Sequence, residues 1–156
     1  MKYVECPDEW DSITYPDEWG IFLAGGITNC PDWQQEMRYL LEETDLTVVN
    51  PRRENFPMGD DAAATFQIEW EFRHMRRVDA ILFWLPADTL CPITLYELGA
   101  WSMEAVKPIF VGTSPSYTRR LDVVEQTALV RPDIEVVDSL SALADQVIAA
   151  EGDIRG

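Results

Sequence analysis

The stretch Val78-Asp79-Ala80-Ile81-Leu82-Phe83-Trp84-Leu85-Pro86 restricts the fold more than any other part of the chain. A strand with one wet face alternates polar and apolar residues. This run has no polar residue between Asp79 and Pro86, so it suits a central strand of a parallel sheet covered on both faces. Parallel neighbours require crossover connections, usually helical. The next segment, Pro92-Ile93-Thr94-Leu95-Tyr96-Glu97-Leu98-Gly99-Ala100-Trp101, reads as such a helix. Pro92 suits its first turn, where the missing N–H is not needed. Glu97 then sits in the opening turns of a helix at the carboxyl end of a central strand, where open α/β sheets bind ligands. From position alone two readings stand: a functional carboxylate, or an ordinary surface Glu on an amphipathic helix.

The rest of the chain alternates in the same way. Ile21-Phe22-Leu23-Ala24 is strand-like and ends in Gly25-Gly26. Asp32 caps a helix expected from Trp33 to Glu43, with Met37, Leu40 and Leu41 on one face. A second strand, Leu46 to Asn50, is stopped by Pro51, and residues 51–64 read as a loop. A helix is expected from Phe66 to Val78, with Ile68, Phe72 and Met75 spaced for the core. The strand from Ala80 to Leu85 is followed by a helix from Ile93 to Val106. Then come a strand from Pro108 to Gly112, a helix from Arg119 to Val130 and a strand from Ile134 to Val137. Ser139 caps a last helix that runs to about Ala150.

This pattern predicts a single α/β domain of Rossmann-like or flavodoxin-like type over 21–150. Its five-stranded parallel sheet has the order 2-1-3-4-5, with helices on both faces and right-handed crossovers. Residues 1–20 form an acidic, aromatic N-terminal segment, and 151–156 a frayed C-terminus. The segment carries an approximate echo, Pro7-Asp8-Glu9-Trp10 and Pro16-Asp17-Glu18-Trp19, read as an edge hairpin or a coil that packs Trp10 and Trp19 on the domain. In the predicted strand order, the loops after the first four strands converge at the switch point. They carry Gly25-Gly26-Ile27-Thr28-Asn29, Asn50-Pro51-Arg52-Arg53, Ala87-Asp88-Thr89-Leu90-Cys91 and Gly112-Thr113-Ser114-Pro115.

Composition excludes several classes. A net charge of −16 argues against a nucleic-acid polymer as partner, because backbone binding needs a basic patch. The acidity reads as a solvated surface, suited to a salty or otherwise unusual cytoplasm, in preference to an acidic docking role. No run reaches the roughly 18 apolar residues of a membrane span, and the N-terminus lacks a signal-peptide core, so a cytoplasmic address without membrane association is expected. Cys6, Cys30 and Cys91 are odd in number and widely spaced, and His74 is the single histidine. They match neither a disulfide framework nor a metal site, and no metal or cofactor is expected.

Among the candidate site residues, Gly25-Gly26 permits close backbone approach to a ligand, or is a plain tight turn. The further glycine of a dinucleotide fingerprint is missing, and there is no P-loop. Arg52 and Arg53 offer planar forks for a carboxylate or phosphate, or pair with Glu54, Asp60 or Asp61. Gln67, Trp70, Glu71 and His74 share one flank of a helix. Trp70 suits the flat face of a base and Glu71 suits hydroxyls. Alternatively Trp70 is core and Glu71 pairs with Arg73, Arg76 and Arg77. For Trp70 and His74 the core reading is preferred. Asp88 and Glu97 facing one cleft would let one carboxylate attack or stabilise while the other handles a proton. No Ser-His-Asp constellation competes, and Cys91 has no evident base.

Five motifs together resemble the nucleoside 2-deoxyribosyltransferase family, in particular a short, divergent bacterial and phage branch. They are Phe22-Leu23-Ala24-Gly25-Gly26, Val49-Asn50-Pro51-Arg52, Gln67-Ile68-Glu69-Trp70-Glu71, Val78 to Trp84, and Pro92 to Ala100. The match spans roughly Ile21 to Val147. The resemblance implies breakage of the N-glycosidic bond of a nucleoside or nucleotide, with Glu97 as nucleophile. A second base then takes the sugar, or water does. The start of the helix would help keep Glu97 ionised. The family's Asp ahead of the nucleophile helix falls on Cys91, with Asp88 the nearest carboxylate, and an upstream Asp falls on Glu71. Glu97, Asp88 and Glu71 are therefore the expected catalytic groups. Gly25, Gly26, Ile27, Asn50, Arg52, Gln67, Trp70 and Cys91 are the expected substrate contacts, with Ser114 and Ser116 beside Arg52 as a possible phosphate grip. The expected ligand is a small nucleoside or nucleotide, for transfer of 2-deoxyribose or for hydrolysis, including that of a 5′-monophosphate. A non-catalytic nucleotide-binding module and an interaction protein using the acidic segment are the readings from other classes. Six Trp, with Tyr96, Trp101 and Met103 beyond the inward stripe, together with the resemblance, point to a homodimer or a dimer of dimers.

Overall fold

Side-chain alternation along the inner strands decides which helix each residue meets. The computed structural model describes every residue except Ser12, Tyr15, Pro16 and Gly156. Its elements are β1 (Lys2–Glu5), β2 (Gly20–Gly25), α1 (Trp33–Leu40), β3 (Thr47–Asn50), α2 (Asp61–Arg77), β4 (Ala80–Leu85), α3 (Pro92–Ser102), β5 (Ile109–Thr113), α4 (Arg120–Val130) and α5 (Leu140–Arg155). The strands form one sheet in the order β1-β3-β2-β4-β5, and every pairing is parallel.

β4 is buried along its whole length between β2 and β5. Phe22, Ala24, Ile81, Phe83 and Leu85 face a core shared with Trp70, Leu98 and Val123 from α2, α3 and α4. Ile21, Leu23, Ala80, Leu82 and Trp84 face the other way, onto Trp33 and Met37 of α1 and Leu143 and Val147 of α5. Each such fully buried large side chain contributes about 1.5–3 kcal/mol. The result is a three-layer α/β domain, as the apolar run requires.

Three features depart from expectation. The segment 134–137 joins the sheet only through Val137, which bridges Gly112. Its Arg131 fork grips Asp133 at 2.7 and 2.9 Å, which holds the chain in a turn just before it reaches the sheet. The fifth strand is instead Lys2–Glu5, in register with β3 from Lys2↔Thr47 to Glu5↔Asn50. An edge strand needs only one ladder, so two apolar residues, Tyr3 and Val4, suffice, and the pattern is too short to read. The second departure is in α2, which starts at Asp61 because the Asp60 carboxylate caps Ala62 and Ala63. It turns Trp70, His74 and Met75 inward, whereas Ile68 and Phe72 are 67% and 60% exposed. The helix carries two rows of large side chains, and the sheet takes the one with the larger ring. α5 extends to Arg155, past Ala150, and Gly156 lies outside the described residues. Among the described residues no helix is long and apolar enough to cross a membrane.

Past β1 the chain straps across α2. The Trp10 ring lies on Gly20, where any side chain would collide with it. The Trp10 N–H donates to His74 Nε2 at 3.2 Å, and Trp70 Nε1 donates to the Asp8 carbonyl at 2.9 Å. His74 Nδ1 donates to the Trp70 carbonyl, which makes the buried ring a neutral Nδ1–H tautomer, and burial holds its pKa below the usual value. Glu9 accepts from Arg73 and Arg77 outside this joint. Trp19 is half-buried against the α1/α5 face, and Pro16 of the second echo lies outside the described residues. Trp10→Ala is expected to lower unfolding stability by about 3–5 kcal/mol, the usual range for deleting a buried Trp. Urea denaturation measures it, and a loss under about 1 kcal/mol would mean the strap is not part of the core.

Candidate active site

The parallel sheet sends α2 and α3 down the same face, and a cleft of about 1010 Å³ opens between them. Ile68, Phe72, Ile93 and Trp101 supply apolar walls. Glu71 of α2 and Glu97 of α3 both line it. α3 can begin where it does because Cys91 takes a left-handed backbone, φ 49°, and Pro92 follows at the first helical position. Tyr117 ties the loop ahead of it by donating to the Leu90 carbonyl at 2.8 Å.

The two carboxyls are electrostatically coupled. Burial pushes the Glu97 pKa up to about 8, and the Glu71 charge adds to the rise. Burial also raises Glu71, opposed by a hydrogen bond from Gln67. Gln67 Nε2 donates to Glu71 Oε1 at 2.8 Å and to the Pro51 carbonyl at 2.7 Å. The helix start therefore does not keep Glu97 ionised as expected. The dipole effect fades within the first turn, Glu97 lies beyond it, and desolvation wins. Two carboxyls in one apolar-walled cleft, with one held protonated near neutral pH, can divide the work of nucleophile and proton carrier. Among the described residues no group of three potential ligands is placed to hold a metal ion.

Glu71, Glu97 and Gln67 are thus brought together. Asp88 is not: it is exposed on the β4–α3 loop, where its charge acts on Cys30. Several of the other expected contacts hold the scaffold. Trp70 is fully buried, with its ring stacked on His74 at 3.9 Å, so no face is left for a base. Asn50 donates to the Tyr3 hydroxyl at 2.6 Å and accepts from the Arg52 N–H at 2.9 Å. The Arg52 guanidinium donates to the carbonyls of Pro31 (2.9 Å) and Cys30 (3.1 Å) and to Gln34 (3.1 Å). It clamps the loop after β2 and does not pair with Glu54, Asp60 or Asp61. Gly25 lies against Trp33, and Gly26 lies beneath the Cys91 sulfur, Pro86 and Thr89, where a Cβ would be 2.8–3.1 Å from them. The glycine pair therefore lets the loops after β2 and β4 close on each other. Ile27 follows, half-buried. Ser114 and Ser116 share a hydrogen bond at 3.3 Å, and the cation beside that loop is Arg120, bonded to Thr113 at 2.6 Å.

Sequence reasoning missed Cys6, whose thiol donates to Gln67 Oε1 at 3.0 Å. No spacing signal links residues so far apart. It also missed the cleft walls Ile68 and Phe72, for which the i, i+4 row beside Glu71 was the available cue.

A parallel α/β sheet is the frame of this domain, with a carboxyl pair in the cleft beside its central strand. The chain belongs to the nucleoside 2-deoxyribosyltransferase-like family, whose model matches residues 18–117, from the turn before β2 to the loop after β5. The matched region includes both Glu71 and Glu97. No curated protein matches the chain. Arg52→Ala is expected to cost about 1.5–3 kcal/mol of stability, because it removes charge-assisted hydrogen bonds that are largely sheltered. Chemical denaturation checks this. An unchanged midpoint would show that the loop after β2 holds its shape without the clamp.

Proposed function

We propose that the protein cleaves or exchanges the N-glycosidic bond of a deoxynucleoside, nucleoside or nucleotide, with Glu97 as nucleophile and Glu71 as its proton partner. The observation that carries this reading is the shared cleft of Glu71 and Glu97, inside a family-matched region. In the resting pair one proton sits on Glu97. It moves to Glu71, which frees the Glu97 carboxylate. A Glu97 oxygen bonds to C1′ as the C1′–N bond breaks, and its electron pair leaves on the base, which takes the proton from Glu71. The transition state has oxocarbenium character, so an anion beneath it lowers the barrier. A second base, or water, then attacks C1′ and breaks the ester to Glu97, and a proton returns to the carboxyl pair. No metal or cofactor is required. The monophosphate hydrolase variant is the alternative form of this reading, although the Ser114–Ser116 pair and Arg120 do not line the cleft.

Glu97→Gln should cut base release from a nucleoside panel by at least about 10³-fold, since the carboxamide keeps the shape and loses the nucleophile. The same change should raise stability at alkaline pH. In wild type the folded-state pKa is raised from 4.5 to about 8, so ionising Glu97 costs the native state. That cost is absent below pH 4.5 and grows until about 8. The melting-temperature gap between Glu97→Gln and wild type should therefore widen over that range. Glu71→Gln removes the like charge and should bring Glu97 ionisation to lower pH. Near-normal turnover by Glu97→Gln would end the covalent reading.

We also propose a homodimer or dimer of dimers assembled on the cleft face. Ile93 and Tyr96 on α3, and Met103 just past its end, are 66%, 78% and 76% exposed, with Ile68 and Phe72 exposed on α2. Such a contiguous apolar surface is unusual on a monomer. Covering it would also close the cleft to water. Sedimentation at micromolar concentration should give a multiple of 17.8 kDa. A fully active monomer would refute the assembly.

A further inference from the structure

The buried Cys6 thiol plays no part in the chemistry above, yet it sits at the start of a hydrogen-bond chain that ends at Glu71. Its Sγ donates to Gln67 Oε1 at 3.0 Å. Gln67 Nε2 has two hydrogens. One goes to the Pro51 carbonyl at 2.7 Å and the other to Glu71 Oε1 at 2.8 Å. A carbonyl only accepts, so Pro51 fixes which end of the amide is the NH₂ group. Cys6 holds the opposite end. The amide can then offer Glu71 nothing except a donor, and a donor favours the ionised carboxylate.

We propose that Cys6 and Gln67 are positioning residues that hold Glu71 as the ionised member of the pair and so leave the shared proton on Glu97. This rests on the assignment of Glu71 and Glu97 as the reacting carboxyls. It separates two similar side chains in one cleft, because the Gln67 amide donates to Glu71. It also gives the N-terminal strap a role beyond packing, because Cys6 is delivered by β1 and locked by the Glu9 and Trp10 contacts with α2. Cys6 itself stays a thiol, since burial pushes its pKa up to about 11. The charged groups acting on it are Arg53 on one side and Glu71, Glu9 and Glu5 on the other. Glu71 faces Gln67 on its own helix and Glu97 on α3.

The test reads the carboxyls directly and needs no substrate. Protein labelled with ¹³C at the Glu carboxyl carbon is titrated by NMR, with Glu71→Gln and Glu97→Gln used to assign the two signals. In Gln67→Leu the Glu71 midpoint should rise and the Glu97 midpoint fall, each by about one pH unit, the size expected for one charge-assisted hydrogen bond. Cys6→Ala should move both in the same directions by less, and Cys6→Ser, which restores an O–H donor, should return them toward wild type. Midpoints unchanged in folded Gln67→Leu would overturn the proposal. So would a Cys6→Ser protein that behaves like Cys6→Ala. If the titrations move as stated and no nucleoside is cleaved, the positioning stands and the proposed reaction is what fails. The pH dependence of kcat/KM, where turnover is found, should shift to lower pH with Glu97 in Gln67→Leu.

Discussion

Everything in this fold follows from a strand that water cannot touch on either face. β4 pairs with β2 on one side and β5 on the other, all in the same direction. Parallel neighbours cannot be joined by a tight turn, so every connection has to climb back over the sheet. With both faces of β4 apolar, those connections have to be helices that cover it. α2 and α3 are the segments that lead into and out of this strand, so they run down one face near each other. The cleft is the gap between them, and a residue on either helix, partway along, has a counterpart on the other. The carboxyl pair is a consequence of that geometry.

The electrostatics of the pair follow from the apolar walls. A carboxylate loses hydration as it is buried, and a second negative charge adds to the cost. The dipole of α3 and the Gln67 amide act in the opposite sense. The dipole is short-ranged, and the amide reaches Glu71 only. Burial therefore wins at Glu97, whose pKa is pushed up to about 8, and the hydrogen bond distinguishes its neighbour. A chain with 28 acidic and 12 basic side chains has few cations to spare for such a site. Most of those with described partners serve the frame. Arg73 and Arg77 hold the strap, Arg131 holds a turn, Arg52 clamps a loop, and Lys107 donates to the last carbonyls of α2. Arg76 and Lys107 line the cleft as well, while the state of the two carboxyls is set by burial, by the Gln67 hydrogen bond and, at Glu97, by the Glu71 charge.

The N-terminal segment shows how tertiary context overrides composition. Its acidic, aromatic sequence looks like a solvated tail. In the fold Trp10 is 1% exposed, Tyr3 and Val4 complete the sheet edge, and Cys6 reaches Gln67. The strap lies between the sheet edge and α2, so its packing and the state of the cleft are coupled through the same helix.

The sequence alone determined the class of fold, the neighbours of the central strand and the position of Glu97 on its helix. Those depend on local signals: an apolar run, the period of the helices, and Pro and Asp at their starts. The family motifs could be read for the same reason, being short and contiguous. Which row of α2 faces inward was not decided locally, because Ile68–Phe72 and Trp70–His74 both set large side chains at helical spacing and only the sheet surface chooses. The exchange of the segment 134–137 for Lys2–Glu5 as the fifth strand had the same origin, since edge pairing depends on what remains uncovered when the core has formed. Arg52, Asn50 and Trp70 stand in motifs that read as ligand contacts, and each has a partner far away in sequence: Pro31 and Cys30 for Arg52, Tyr3 for Asn50 and Asp8 for Trp70. Glu71 became the partner of Glu97, and Asp88 did not, because two crossover helices meet across the cleft while the loop that carries Asp88 turns out into water.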